Sequence, residues 1–247
     1  MRKFGKFVFS SIAVMLVISG PASALVPVAD YTFDDASSLV PFTQTGTPTV
    51  SGGQLQLDGA SYLEIADPLA GATDHYVVEA IVTATSFGVF DFAFARNDPL
   101  GANAGNNGQG MLFQDFGAGS GQIGVLNSFS GATHGFTSGA NSIVLTLNRP
   151  TAVAAVQDGG TTFLYVNGVQ VLETTAAVIV GTPTNLAIGT HAFDGVAGAF
   201  NGSIDRVRLS TFDAGTFDSS LLLVPEPATL SLLGLGGLAA LRRGKRA

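Results

Sequence analysis

Thr161-Thr-Phe-Leu-Tyr-Val-Asn-Gly-Val-Gln-Val-Leu-Glu173 reads as two apolar β-type runs joined by Asn167-Gly168. Both residues of a two-residue hairpin loop take positive φ in a type I′ turn, and Asn-Gly does so at the lowest steric cost. The pairing this predicts sets Val166 against Val169, Tyr165 against Gln170, Leu164 against Val171 and Phe163 against Leu172. Leu164, Val166, Val169 and Val171 then form one apolar face, which a second sheet must cover. The chain is therefore expected to be all-β, a sandwich of two antiparallel sheets.

Composition agrees with that reading. The 247 residues include 32 Gly and no Cys or Trp, and only 12% are charged. Glycine scattered through short β-type runs fits a domain of many tight turns. Without Cys there is neither a disulfide framework nor a thiolate metal site, so the apolar core must supply the stability.

Both ends read as addresses. Arg2, Lys3 and Lys6 precede an apolar run from Phe7 to Ile18, a Gly20-Pro21 break and Ala22-Ser23-Ala24. That order predicts a secretory signal over residues 1–24, helical in its apolar part, with Ala22 and Ala24 as the small residues read by signal peptidase. At the other end Val224-Pro225-Glu226-Pro227 leads into an apolar run, Ala228 to Leu241, and then Arg242-Arg243-Gly244-Lys245-Arg246. A short apolar segment followed by cations halts transfer across a membrane, so residues 25–224 are expected outside the cytoplasm. Seven of the 11 Lys and Arg lie in these two ends, and of the 18 Asp and Glu only Glu226 does. The intervening domain thus carries four arginines against 17 carboxylates, a net −13, which disfavours nucleic acid as a partner.

The tail, with Pro225, Glu226 and Pro227 ahead of a Gly-rich apolar helix and Arg242 and Arg243 behind it, resembles the PEP-CTERM sorting signal of Gram-negative bacteria. The resemblance implies recognition and cleavage near Pro-Glu-Pro by a membrane-embedded exosortase, with transient membrane association of residues 223–247. It also implies a destination at the cell surface or in an extracellular matrix.

Between the addresses, Val28 to Phe33 alternates as a first strand, and Thr43, Thr45, Thr47 and Thr49 place four threonines on one side of an extended run. Asp58-Gly59 between Gln54–Leu57 and Ser61–Ile65 signals a second hairpin. Residues 75–85 form a long strand with Val77, Glu79, Ile81 and Thr83 on one side and Val78, Ala80 and Val82 on the other. Phe90, Phe92 and Phe94 share a core-facing side, and the polar stretch Asn97 to Gly110 is a loop.

Leu55 to Ile65, Asp158 to Gly168, Leu186-Ala-Ile-Gly189 and Gly202-Ser-Ile-Asp-Arg-Val-Arg-Leu-Ser210 occur in an order that resembles laminin G-like domains of the concanavalin A-like fold. The resemblance covers most of residues 25–222 and implies a jelly-roll sandwich. One departure is Asn141-Ser142, where such domains often carry Trp.

Chemistry is sparse. Alternation through Ile204–Leu209 puts Asp205 beside Val207 and Leu209 on a core face, where a carboxylate must be hydrogen-bonded, paired or metal-bound. Asp205 with Asp34 or Asp58 is accordingly a candidate calcium site, since Ca²⁺ accepts roughly six to eight oxygens in irregular geometry. Gly119-Ser-Gly-Gln-Ile-Gly124 matches G-x-G-x-x-G, but no helix signal follows it, so the dinucleotide reading is rejected. His75, His134 and His191 are isolated, and the domain's three glutamates, Glu64, Glu79 and Glu173, do not form the one-faced carboxylate set that glycoside hydrolysis uses. Phe163, Tyr165 and Gln170, opposite the hairpin's apolar face, are a candidate ligand face for an extracellular glycan or protein. The expectation is an exported, non-enzymatic binding or structural module; the alternative is a polysaccharide-acting hydrolase or lyase on the same fold.

Overall fold

The computed structural model describes residues 24–69, 72, 74–88, 91–97, 108–115, 121–128, 134–138, 144–175, 183–190 and 198–225. Two eight-stranded antiparallel sheets lie face to face. The first runs in the order β14 (Val169–Thr174), β13 (Thr161–Val166), β12 (Thr151–Asp158), β6 (Tyr76–Ala84), β16 (Asn201–Thr211), β4 (Gln54–Asp58) and β3 (Thr49–Ser51), with β1 (Val26–Thr32) also on β16. The second runs β10 (His134–Ser138), β9 (Gly121–Ser128), β8 (Gly108–Asp115), β7 (Asp91–Asn97), β15 (Asn185–Ile188), β5 (Tyr62–Ala66) and β2 (Thr43–Thr45), with β11 (Val144–Leu145) on β9. The arrangement is the jelly-roll sandwich that the hairpin's apolar face demanded. The helical segments expected within residues 1–23 and 226–247, Phe90 and most of the loop from Asn97 to Gly110 lie outside the described residues.

Period-two alternation builds the core. Tyr76, Val78, Ala80, Val82 and Ala84 of β6 point between the sheets, as do Val153, Ala155, Leu164, Ile204, Val207 and Leu209, and all of them are buried. Strand β12 is buried along nearly its whole length rather than on alternate residues. Its Ala154 and Val156 turn away from the main core into a second cluster with Val77, Tyr165, Phe212 and Leu222. A strand that is apolar on both faces must be covered on both. The cover is residues 212–225, which cross the outer face of the first sheet after β16 ends.

The Asn167-Gly168 turn has φ of 50° and 76°, as a type I′ loop requires. Asn167 also fastens the hairpin to its neighbour: its N–H donates to the Ala152 carbonyl at 2.8 Å, and its Oδ1 accepts from the Ala152 N–H at 2.9 Å. Val166 faces Val169 and Tyr165 faces Gln170 as expected, but Leu164 then pairs with Leu172 and Phe163 with Glu173. Val171 is an extra residue, a bulge that bends this edge strand. Val169, placed by the expected register on a covered face, is 63% exposed at the hairpin's tip.

Three other expectations are corrected. The four-threonine row is not one strand: Thr43 and Thr45 belong to β2 in the second sheet, and Thr49 to β3 in the first. The chain crosses between sheets at Gly46, whose φ is 72°. Asp58-Gly59 does not close a hairpin, because β4 and β5 also lie in different sheets; it turns a sandwich corner, with the Gly59 N–H donating to the Phe200 carbonyl at 3.2 Å. Finally, the pairing of β16 with β6 slips by one residue between Ile204 and Arg206. Ile204, Val207 and Leu209 all reach the core, while Asp205 occupies the bulge and is half-buried. The strict alternation that placed Asp205 beside Val207 fails because two-versus-one pairing reverses the parity of a strand.

Candidate functional site

The described residues gather their charged chemistry where the chain's last described segment crosses the first sheet. Strand β6 carries one carboxylate in an otherwise apolar run, Glu79, on the side facing away from the core, and this residue is only 1% exposed. Arg208 of β16 lies opposite it in register. The Arg208 Nε donates to Glu79 Oε1 at 2.6 Å, and the backbone N–H of Leu223 donates to Glu79 Oε2 at 2.5 Å. The Arg208 Nη2 donates to the Leu221 carbonyl at 2.7 Å. Burial pushes the Glu79 carboxyl above its ordinary value, against the opposing pull of the Leu223 N–H and Arg208. Ser219–Leu221 forms a single 3₁₀ turn whose first N–H groups are capped by Asp218, its carboxylate accepting from the Ser220 N–H at 2.9 Å.

Beside this clasp lies a groove of about 330 Å³, bounded by Gln54, Ile81, Pro150, Asp205, Arg206 and the segment from Leu223 to Pro225. Arg206 on its rim is held by Asp30, its Nε donating to Asp30 Oδ1 at 2.7 Å. That hydrogen bond lowers the Asp30 carboxyl below its ordinary value. Asp205 and Pro225, the first residue of Pro-Glu-Pro, thus line the same groove. Glu226, Pro227, Arg242, Arg243 and Ala22 lie outside the described residues, and Ala24 is exposed at the start of the described chain.

The three aspartates suggested for calcium stand apart in role. Asp34 accepts from the Thr32 hydroxyl at 2.9 Å, and Asp58 accepts from the Ala60 N–H at 3.0 Å within its sandwich corner. Hydrogen bonds from Ser61 and Ala60 hold the Asp58 carboxyl below its ordinary range. Among the described residues the group of three that converges is a different one, Asp74, His75 and Asp158. His75 Nδ1 lies 2.9 Å from Asp158 Oδ1, and its Nε2 lies 3.6 Å from Asp74 Oδ2.

The candidate ligand face is buried at Tyr165, half-buried at Phe163 and exposed at Gln170. Tyr165 is 7% exposed beneath Phe217, its ring centroid 5.6 Å away, while its hydroxyl donates to Gln170 Oε1 at 3.4 Å. Phe163 packs at the margin of the same cluster.

Sequence reasoning missed two constellations. Glu79 carried a signal, a lone carboxylate in Tyr76–Ala84, but nothing local named its partners, which are 129 and 144 residues away. Arg96 and Asp67 form the second. The guanidinium is fully buried, donates from Nε and Nη2 to both Asp67 oxygens, the shortest contact being 2.6 Å, and lies 4.3 Å above the Tyr76 ring. Three of the domain's four arginines are thus committed to carboxylates.

Residues 57–212 match the family model for the concanavalin A-like lectin/glucanases superfamily, and residues 223–246 match the PEP-CTERM protein-sorting motif. No curated protein matches. Among solved structures, domain 4 of AbnA, an extracellular GH43 arabinanase from Geobacillus stearothermophilus, in complex with arabinotriose, is similar at TM-score 0.58 and 21% identity, over 78% of this chain and 95% of that one. The CBM40 module of the Ruminococcus gnavus IT-sialidase, bound to α2,3-sialyllactose, is similar at TM-score 0.51 and 14% identity, over 79% and 97%. NanB sialidase from Streptococcus pneumoniae is similar at TM-score 0.55 and 19% identity, over 81% of this chain but 28% of the sialidase. At these identities the likeness is one of fold.

Proposed function

The chain belongs to the concanavalin A-like lectin/glucanases superfamily, and from that premise we propose that it is an exported, non-catalytic glycan-binding module of the cell surface or extracellular matrix. The carrying observation is the direct junction of sandwich and address: the sorting motif begins at residue 223, and Leu223 is itself packed on the sandwich at 9% exposure. The motif supports export and processing by an exosortase in a Gram-negative cell, after a signal peptidase has acted at Ala22-Ser23-Ala24.

Glycan binding is supported by the company the fold keeps. Two of the similar structures are whole modules of carbohydrate-active enzymes with oligosaccharides bound, and this chain spans 95% and 97% of them. A non-catalytic role is supported by the employment of the glutamates. Glu79 is clasped by Arg208 and Leu223, Glu64 accepts from Asn185 Nδ2 at 2.8 Å, and Glu173 accepts from Gln170 Nε2 at 3.3 Å.

A glycan array followed by polysaccharide pull-down tests the reading, with the same polysaccharides assayed for new reducing or unsaturated ends. Retention on at least one polysaccharide without turnover is expected. Turnover would transfer the protein to the hydrolase or lyase alternative, and a blank array would remove the binding role.

A further inference from the structure

The last described residues are part of the fold and also the beginning of the sorting motif, and these two roles conflict. Leu222 and Leu223 are 5% and 9% exposed, the Leu223 N–H is bound by a buried carboxylate, and the Leu221 carbonyl by a guanidinium. A chain is cut as an extended segment laid in a cleft. Residues 219–223 instead hold a capped turn and two buried leucines.

Geometry makes the conflict sharper. From Leu223 to Ala228, where the apolar tail begins, the chain advances five residues, at most about 18 Å when fully extended. With the clasp closed, no more than this length of chain can separate the sandwich from the apolar tail. Lifting residues 212–223 away from the first sheet adds twelve residues, roughly 40 Å of reach.

We propose that Glu79 and Arg208 form a latch that holds the processing junction shut against the folded sandwich, so that release of residues 212–223 from the first sheet is the step that admits the junction to the processing enzyme. The inference rests on the sorting reading given above. Cleavage of a segment that opens and recloses quickly follows the population of its open form. The latch therefore sets the processing rate through the cost of breaking two charge-assisted hydrogen bonds and baring an apolar face.

The test uses the full-length precursor, produced in a bacterium that carries a PEP-CTERM processing system, as wild type and as E79A, which removes the acceptor of the Leu223 N–H. Hydrogen exchange on the purified precursors reads the latch, and pulse-chase conversion of precursor to product reads processing. The Leu222 and Leu223 amides should exchange slowly in the wild type and roughly tenfold or more faster in E79A, with faster conversion of that variant. Should E79A fail to fold, a six-residue Gly/Ser insertion after Val224, which supplies slack with the latch intact, should speed conversion instead. Rapid exchange of both amides in the wild type, or an opened E79A strap converted at the wild-type rate, overturns the proposal. Conversion of none of the chains overturns the sorting reading and the latch's role together, while the exchange data still report whether the clasp is closed.

Discussion

Phe217 lies over Tyr165 with ring centroids 5.6 Å apart and buries that tyrosine on the outer face of the hairpin. Burial raises the Tyr165 hydroxyl above its ordinary value, with Glu173 and Asp158 adding in the same direction. Phe217→Ala should therefore bring the titration of one tyrosine down toward 10 and cost about 1–3 kcal/mol of stability. Ultraviolet titration of the four tyrosines together with urea denaturation checks both. An unmoved titration curve would mean that residues 212–225 do not cover this face.

The covering strap also explains what was legible in the sequence and what was not. Local signals survive folding: Asn167-Gly168 forms its type I′ turn, and β6 alternates as its residues dictate. Signals that depend on where the next strand goes do not. Asp58-Gly59 is hairpin chemistry used at a corner between sheets, and Thr43 to Thr49 is extended chain divided between two edges. The parity of β16 was lost at a single bulged residue, Asp205, which no pattern of apolar spacing announces. Glu79 stood out in its strand, yet its partners lie on β16 and in the strap, and only the tertiary fold brings them together.

Arg96 and Asp67 form an ion pair buried on both sides, 0% and 1% exposed at their side chains. Asp67→Asn would leave a buried guanidinium without its anion and should cost about 3–5 kcal/mol. The double variant Asp67→Leu, Arg96→Met should recover most of that loss, since a well-packed apolar pair avoids the desolvation penalty altogether. A double-mutant cycle by urea denaturation measures the coupling. Additive losses would show that the two residues do not stabilise one another.

Strand β16 offers a test of its own geometry. Gly202 has a φ of 150°, and a Cβ there would fall against the Thr83 carbonyl oxygen and the Ala84 Cα of the neighbouring strand. Gly202→Ala should cost about 2–4 kcal/mol. Deleting Asp205 should cost less, because it removes the extra residue of the bulge and leaves Ile204, Val207 and Leu209 on one face of a regularly alternating strand. Circular dichroism and thermal unfolding of the two variants check this order, and a deletion variant that melts well below Gly202→Ala would expose an error in the register.

Glu79 makes the pH dependence of stability predictable in sign. Burial holds its carboxyl above the ordinary 4.5, so the folded domain takes up this proton at a higher pH than the unfolded chain does. The associated stability is fully present below about 4.5 and is lost as pH rises through the folded value. Burial acts in the same direction on Glu64 and Asp91. Asp30, held low by Arg206, acts oppositely, and its contribution vanishes only as pH falls below the ordinary 3.8. The melting temperature should therefore rise as pH is lowered from about 7 toward 5, helped by relief of the domain's net negative charge, and should fall again once the low aspartates protonate. In E79Q the first limb should be flatter and the second unchanged. Wild-type and E79Q curves that run parallel across the first limb would mean that Glu79 titrates alike in the folded and unfolded chains, and the clasp would not then be the buried charge described here.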